Sequence, residues 1–186
     1  MRNINATQLE VIRNALESTS DGMAVTLAQS ARSTTVRASW DFSTAVLSAQ
    51  GELVGQGIGH PIHLGGMVPA LRACLNRYDG RIYPGDILAN NDPYEGGSHL
   101  PDIYLYKPVY VGGVLVAYLC SMAHQSDIGG RVPAGMGHDN TEIYQEGIRI
   151  PPLKLYEQGE PNETLFRLIE KAVRGPELVL ADLRAQ

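Results

Sequence analysis

The sequence predicts an α+β fold: antiparallel β-hairpins with an N-terminal helix and short flanking helices. Three observations carry this. Apolar residues near the start recur at helical spacing, at Leu9, Ile12, Leu16, Met23 and Leu27. Two pairs of apolar runs further along are each joined by a glycine-bearing turn. Helical periodicity then returns only near the end, so strands and helices do not alternate as in a parallel α/β fold.

Thr7 and Glu10 read as a capping box opening the first helix, in which Gly22 is a weak point. From Asp41 the period changes, and Phe42–Leu47 and Leu53–Ile58 read as a hairpin turning at Gln50 and Gly51. Met67–Tyr78 is a short amphipathic helix and Asp86–Asn90 a short strand. Ile103–Val111 and Val114–Met122 form a second hairpin around Gly112 and Gly113, apolar enough to be interior strands covered on both faces. A stretch rich in Gly and Pro runs from Gln125 to Pro152, a helix covers Glu163–Val173, and Pro176 begins a last segment. The expectation is a single domain over residues 1–186.

Fifteen Lys and Arg against 20 Asp and Glu give a net charge of −5, unsuited to a nucleic-acid surface. No apolar run reaches the roughly 18–20 residues of a membrane span, and Met1–Asn5 precedes no apolar leader. Two cysteines, Cys74 and Cys120, lie in apolar surroundings and fit a reducing cytoplasm.

Four of the five histidines stand in loops beside strand ends. A regular hairpin turning at Gly112-Gly113 sets position 101 opposite 124 and 102 opposite 123. That brings His99 and Asp102 beside His124, with strand partners roughly 5 Å apart. The first hairpin, treated likewise, sets Asp41 opposite His60 on the same rim. Imidazoles with one or two carboxylates suit Zn²⁺, Mn²⁺ or Fe²⁺ rather than the all-oxygen shells of Ca²⁺ or Mg²⁺. The plainer alternative leaves each residue as a turn or strand-end hydrogen bonder. His60-x-x-His63 is read as structural, His138 as solvent-facing and Tyr94 as a packing aromatic. The glycines of Glu95–Ser98 and Asp127–Arg131 match no phosphate-binding loop, so a nucleotide pocket is not expected in this chain.

Asn91-Asp92-Pro93-Tyr94-Glu95-Gly96-Gly97-Ser98-His99-Leu100-Pro101-Asp102 resembles the signature of the hydantoinase B family. So do Ala123-His124 through Gly129-Gly130, the stretch Glu142–Pro152, and shorter matches from Leu9–Leu16 through Asp41-Phe42-Ser43 to Asp182–Gln186. The resemblance implies the metal-bearing subunit of an ATP-dependent hydrolase of cyclic amides: hydantoins, 5-oxoproline or lactams such as caprolactam. It implies a divalent metal, zinc before manganese or iron, on Asp41, His99, Asp102 and His124, with Asp127 or His60 orienting a water. ATP would be bound by a hydantoinase A-like partner in a hetero-oligomer. Family subunits are longer, so the chain corresponds to an N-terminal portion, and isolated it would expose apolar surface. Two departures, Gln125 in place of a second His and Trp40 beside Asp41, are expected to touch the site. The resemblance also leaves room for an ATP-dependent ketone carboxylase, its metal stabilising an enolate, or for a non-catalytic module clamped by metal.

Overall fold

The computed structural model describes residues 4–186 and is α+β; residues 1–3 of the Met1–Asn5 segment lie outside the described residues. In chain order the elements are α1 (Ala6–Ser30), α2 (Thr34–Arg37), β1 (Phe42–Ser48), β2 (Leu53–Gln56), α3 (Leu64–Arg77) and β3 (Ile87–Asn90). They continue with β4 (Asp102–Val111), β5 (Val114–His124), β6 (Leu153–Glu157), β7 (Glu160–Pro161), α4 (Glu163–Ala172) and α5 (Pro176–Ala185). The strands make one seven-stranded sheet in the order β2-β1-β5-β4-β3-β6-β7. Every pairing in it is antiparallel.

The two long apolar runs are interior strands, as their composition predicts. Strand alternation sends their side chains to two cores. On one face Ala45, Leu88, Tyr104, Tyr106, Cys120 and Met122 pack against Met67, Leu71 and Cys74 of α3. On the other, Phe42 and Ala123 meet Ala24, Leu27 and Ala28 of α1, while Ile103 and Leu105 meet Phe166, Ile169, Val179 and Leu183 of α4 and α5. Both cysteines are buried and unpaired.

Helix α1 begins earlier than Thr7. Asn5 is the N-cap, its side chain accepting from Gln8 N–H at 2.8 Å while Gln8 accepts from Asn5 N–H at 3.0 Å. Two capping signatures overlap two residues apart, and the Asn/Gln pair wins. Only the second half of α1 is packed. Thr44 donates to the Ser20 carbonyl at 2.8 Å, an approach that needs Gly57, where a Cβ would stand 2.6 Å from that oxygen. Leu9, Val11 and Ile12 stay exposed.

Both hairpins carry a bulge, which shifts the second out of its expected register at the site and leaves Ala45–Gln56 and Val46–Gly55 of the first in theirs. Val116 is an extra residue between the pairs Val109–Ala117 and Tyr110–Leu115, so Asp102 faces His124 and not Ala123. Val54 is similarly extra between Val46–Gly55 and Leu47–Leu53. Elements α2, β6 and β7 had no reading in the sequence, being too short for periodicity to register. No described helix is long and apolar enough to cross a membrane.

Candidate metal centre

Three adjacent strands deliver three side chains in one row. Phe42 pairs with Ala123, and one residue further His124 N–H donates to the Asp41 carbonyl at 3.0 Å. Across β5, His124 pairs with Asp102. Alternation turns all three toward the α3 face, opposite to Phe42, Ala123 and Ile103. The bulge at Val116 is what makes this possible. Without it Asp102 and His124 would point to opposite faces. His99 reaches the row from the turn before β4, where Asp102 N–H donates to its carbonyl at 3.0 Å.

The Asp102 carboxylate is the hub. Its Oδ1 lies 3.1 Å from His99 Nε2 and 3.0 Å from His124 Nδ1, while Oδ2 accepts from Ser98 Oγ at 2.7 Å. Burial opposes its ionised form, but the bonds from His124, His99 and Ser98 outweigh that and hold it well below the usual carboxylate range. The bond to Asp102 raises His99 above the ordinary imidazole value, against a lesser desolvation cost.

The donor set fits a divalent transition metal. Ligand atoms of His99, Asp102 and His124 all lie within 4.8 Å of one another. Two imidazoles and a carboxylate oxygen, converging on each other, are the donor chemistry of Zn²⁺, Mn²⁺ or Fe²⁺.

Asp41 stands at the edge of this group rather than inside it. Its Oδ1 is 3.4 Å from Nε2 of His63, whose Nδ1 is 3.1 Å from Ser43 Oγ. Burial lowers the His63 pKa against the pull of Asp102 and Asp41. The structure thus gives His63 the place expected for His60. The His60 side chain is exposed, and only its backbone engages Ser43 and Phe42. The signal for this was readable. Pro61 starts a helical turn, and His63 precedes Met67, Ala70, Leu71 and Cys74 on the buried stripe of α3.

Other expected residues lie elsewhere. Asp127 is held by Arg174, accepting from its N–H at 2.5 Å and its guanidinium at 3.1 Å, and by Gly129 N–H at 3.2 Å. That bonding ties the loop after β5 to the joint between α4 and α5. Gln125 points away from the centre; it is fully buried and donates to Gln186 Oε1 at 3.0 Å. Trp40 stacks on Phe42 at 5.4 Å, on the helical face, with φ of 56°. Tyr94 does not pack inside: it is 75% exposed, with the Arg149 guanidinium 5.3 Å from its ring centre. His138 is exposed, as expected.

Arg149 in turn clamps buried Asp92 through two bonds of 3.1 and 2.7 Å to one oxygen. These residues, with Glu95, Tyr144, Gly147 and Pro151, line a hollow of about 400 Å³. It adjoins the segment that carries His99, and the charge of Glu146 reaches that imidazole.

The sequence profile of the Hydantoinase B/oxoprolinase family matches residues 5–186. The chain is 39% identical over 186 residues to caprolactamase subunit beta of Pseudomonas jessenii, covering 100% of this chain and 32% of that protein. It is 38% identical over 157 residues to a 5-oxoprolinase of Pestalotiopsis fici, covering 84% of this chain and 12% of the relative. The crystal structure of the ATP-dependent caprolactamase from P. jessenii superposes with a TM-score of 0.92 at 38% identity, over 100% of this chain and 32% of that one. An acetone carboxylase in its nucleotide-free form superposes at 0.87 over 99% of this chain and 25% of that one, with 20% identity, a likeness of fold alone.

Proposed function

Because the chain belongs to the Hydantoinase B/oxoprolinase family, we propose that it carries the metal centre of an ATP-dependent enzyme that opens a cyclic amide. The observation that carries this reading is the convergence of His99, Asp102 and His124 on one point. Asp41 completes the ligand set from the neighbouring strand. The ATP site belongs to a hydantoinase A-like partner in a cytoplasmic hetero-oligomer, and residues 1–186 are one domain within a longer subunit.

A divalent metal, zinc first, would supply Lewis acidity toward the ring carbonyl and lower the pKa of a bound water. The chain's own residues arrange the surroundings. Before metal binds, Asp102 gathers both imidazoles through one oxygen, and His63, held by Ser43, fixes Asp41. Arg149, Tyr144 and Glu95 wall a hollow suited to a small planar ring. Asp127 and His60 act on the fold around the centre rather than on the reacting atoms. Amide rings without strain resist hydrolysis, which is why coupling to ATP on a partner makes chemical sense.

The test is the enzyme assembled with its ATP-binding partner, assayed for ATP hydrolysis coupled to lactam opening, with bound metal counted. Asp102→Ala and His124→Ala are expected to lose the metal and at least about 100-fold of coupled turnover. Full coupled activity in either variant would overturn the reading.

A further inference from the structure

Asp102 has two oxygens with different partners. Both imidazoles converge on Oδ1, whereas Oδ2 accepts from Ser98 Oγ at 2.7 Å. A serine hydroxyl has one hydrogen, and an ionised carboxylate can only accept, so that hydrogen is committed to Asp102. The Tyr104 hydroxyl lies 2.8 Å from the same Ser98 Oγ. With Ser98 already donating to Asp102, Tyr104 is the donor in that contact. The direction is therefore fixed: Tyr104 donates to Ser98, and Ser98 donates to Asp102.

The far end of this chain is anchored in the core. Tyr104 is fully buried, in the middle of the cluster beneath α3. At Gly66, in the first turn of α3, a Cβ would stand 2.8 Å from the phenol ring carbon that bears the hydroxyl. Glycine there lets α3 close over the tyrosine and leaves its hydroxyl a single way to point. Ser98 itself is placed by the turn that Gly96 and Gly97 make against the Pro69 and Asn91 backbones.

We propose that Tyr104 and Ser98 form a two-link brace that holds Asp102 as a one-oxygen metal ligand, and so set the affinity and coordination number of the centre. The proposal rests on the metal reading given above. Ser98 and Tyr104 are positioning residues: neither touches the metal, and both act through Asp102. With Oδ2 engaged, only Oδ1 faces the imidazoles. With Oδ2 released, the carboxylate can swing to offer both oxygens, and the centre gains a donor beyond those it holds while the brace is in place.

The experiment uses the assembled enzyme, stripped of metal and titrated with Co²⁺ alone against a chelator. Its visible absorption reads coordination number independently of turnover. Ser98→Ala and Tyr104→Phe are expected to weaken Co²⁺ binding by about 10- to 100-fold and to dim the absorption band as coordination number rises. Ser98→Thr, which keeps the hydroxyl, is expected to restore both. Tyr104→Phe keeps the ring, so its thermal unfolding serves as the folding control. Wild-type affinity and spectrum in both Ser98→Ala and Tyr104→Phe would overturn the brace while leaving the metal reading intact. Failure of the unaltered enzyme to bind Co²⁺ at all, with no further change in His124→Ala, would overturn the metal reading itself and the brace with it.

Discussion

At the scale of residues, one proton decides how the centre behaves without metal. The bond to Asp102 raises the His99 pKa, so in the folded, metal-free state His99 stays charged above the ordinary imidazole value. That pairing contributes stability in full below the unfolded value of about 6.5, and loses it as pH rises through the raised folded value. A metal must displace the same proton. Zn²⁺ affinity is therefore expected to climb as pH rises toward the raised His99 value and to level off above it, with proton release on binding. Competition titrations at several pH values check this, and a flat profile would contradict the assignment of His99. Asp102 behaves oppositely: its depressed value keeps its contribution in place until strong acid. What was legible here was chemistry rather than aim. The types and spacing of His99, Asp102 and His124 marked them from the sequence, but nothing in it showed that Gln125 turns to α5 or that Trp40 stacks on Phe42. Those orientations follow from which face of β5 and β1 each residue occupies, and facing depends on register.

At the scale of elements, register was the weak point, because a bulge leaves no clear signature in composition. The turn at Gly112-Gly113 was readable from its glycines, and the strands from their apolar runs. The extra residue at Val116 was not, since it lies in an unbroken β-branched and apolar stretch. Contacts between distant elements were equally hidden. Asp182 of α5 is fully buried and accepts from the N–H groups of Arg32 at 2.6 Å and Ser33 at 3.1 Å, binding the joint between α1 and α2. In the sequence it is one acidic residue in the last segment that Pro176 begins. Replacing it by Ala would strand two backbone donors in the interior, at about 1–3 kcal/mol each. Asp182→Ala is expected to lower stability by about 3 kcal/mol in urea or thermal unfolding, with Asp182→Asn less affected. A loss within about 0.5 kcal/mol of zero, the range of ordinary surface substitutions, would mean the joint is held by its apolar contacts instead.

At the scale of the whole molecule, the fold class was legible because it rests on local signals, whereas the order of strands was not. The site is carried by the neighbouring strands β1-β5-β4, so the row Asp41–His124–Asp102 joins positions far apart in the chain. Hairpin β4–β5 can form early and bring His99, Asp102 and His124 together by itself. Asp41 arrives only when β1 docks along β5, a closure spanning the intervening α3, β3 and β4. Non-local pairing of this kind is slow compared with hairpin closure. Assembly of the centre is thus expected to have a clock built into it. In refolding with Co²⁺ present, a weak three-ligand spectrum should appear first and sharpen in a later phase that coincides with completion of the sheet. Asp41→Ala should abolish that later spectral phase while leaving the earlier one in place. A single spectral phase in the unaltered protein would mean that the sheet closes as one unit. During synthesis the same order lets a metal ion engage the hairpin only after β5 (Val114–His124) has emerged, so the nascent chain passes through the residues before it, including Asp41 and His63, with no centre to fill.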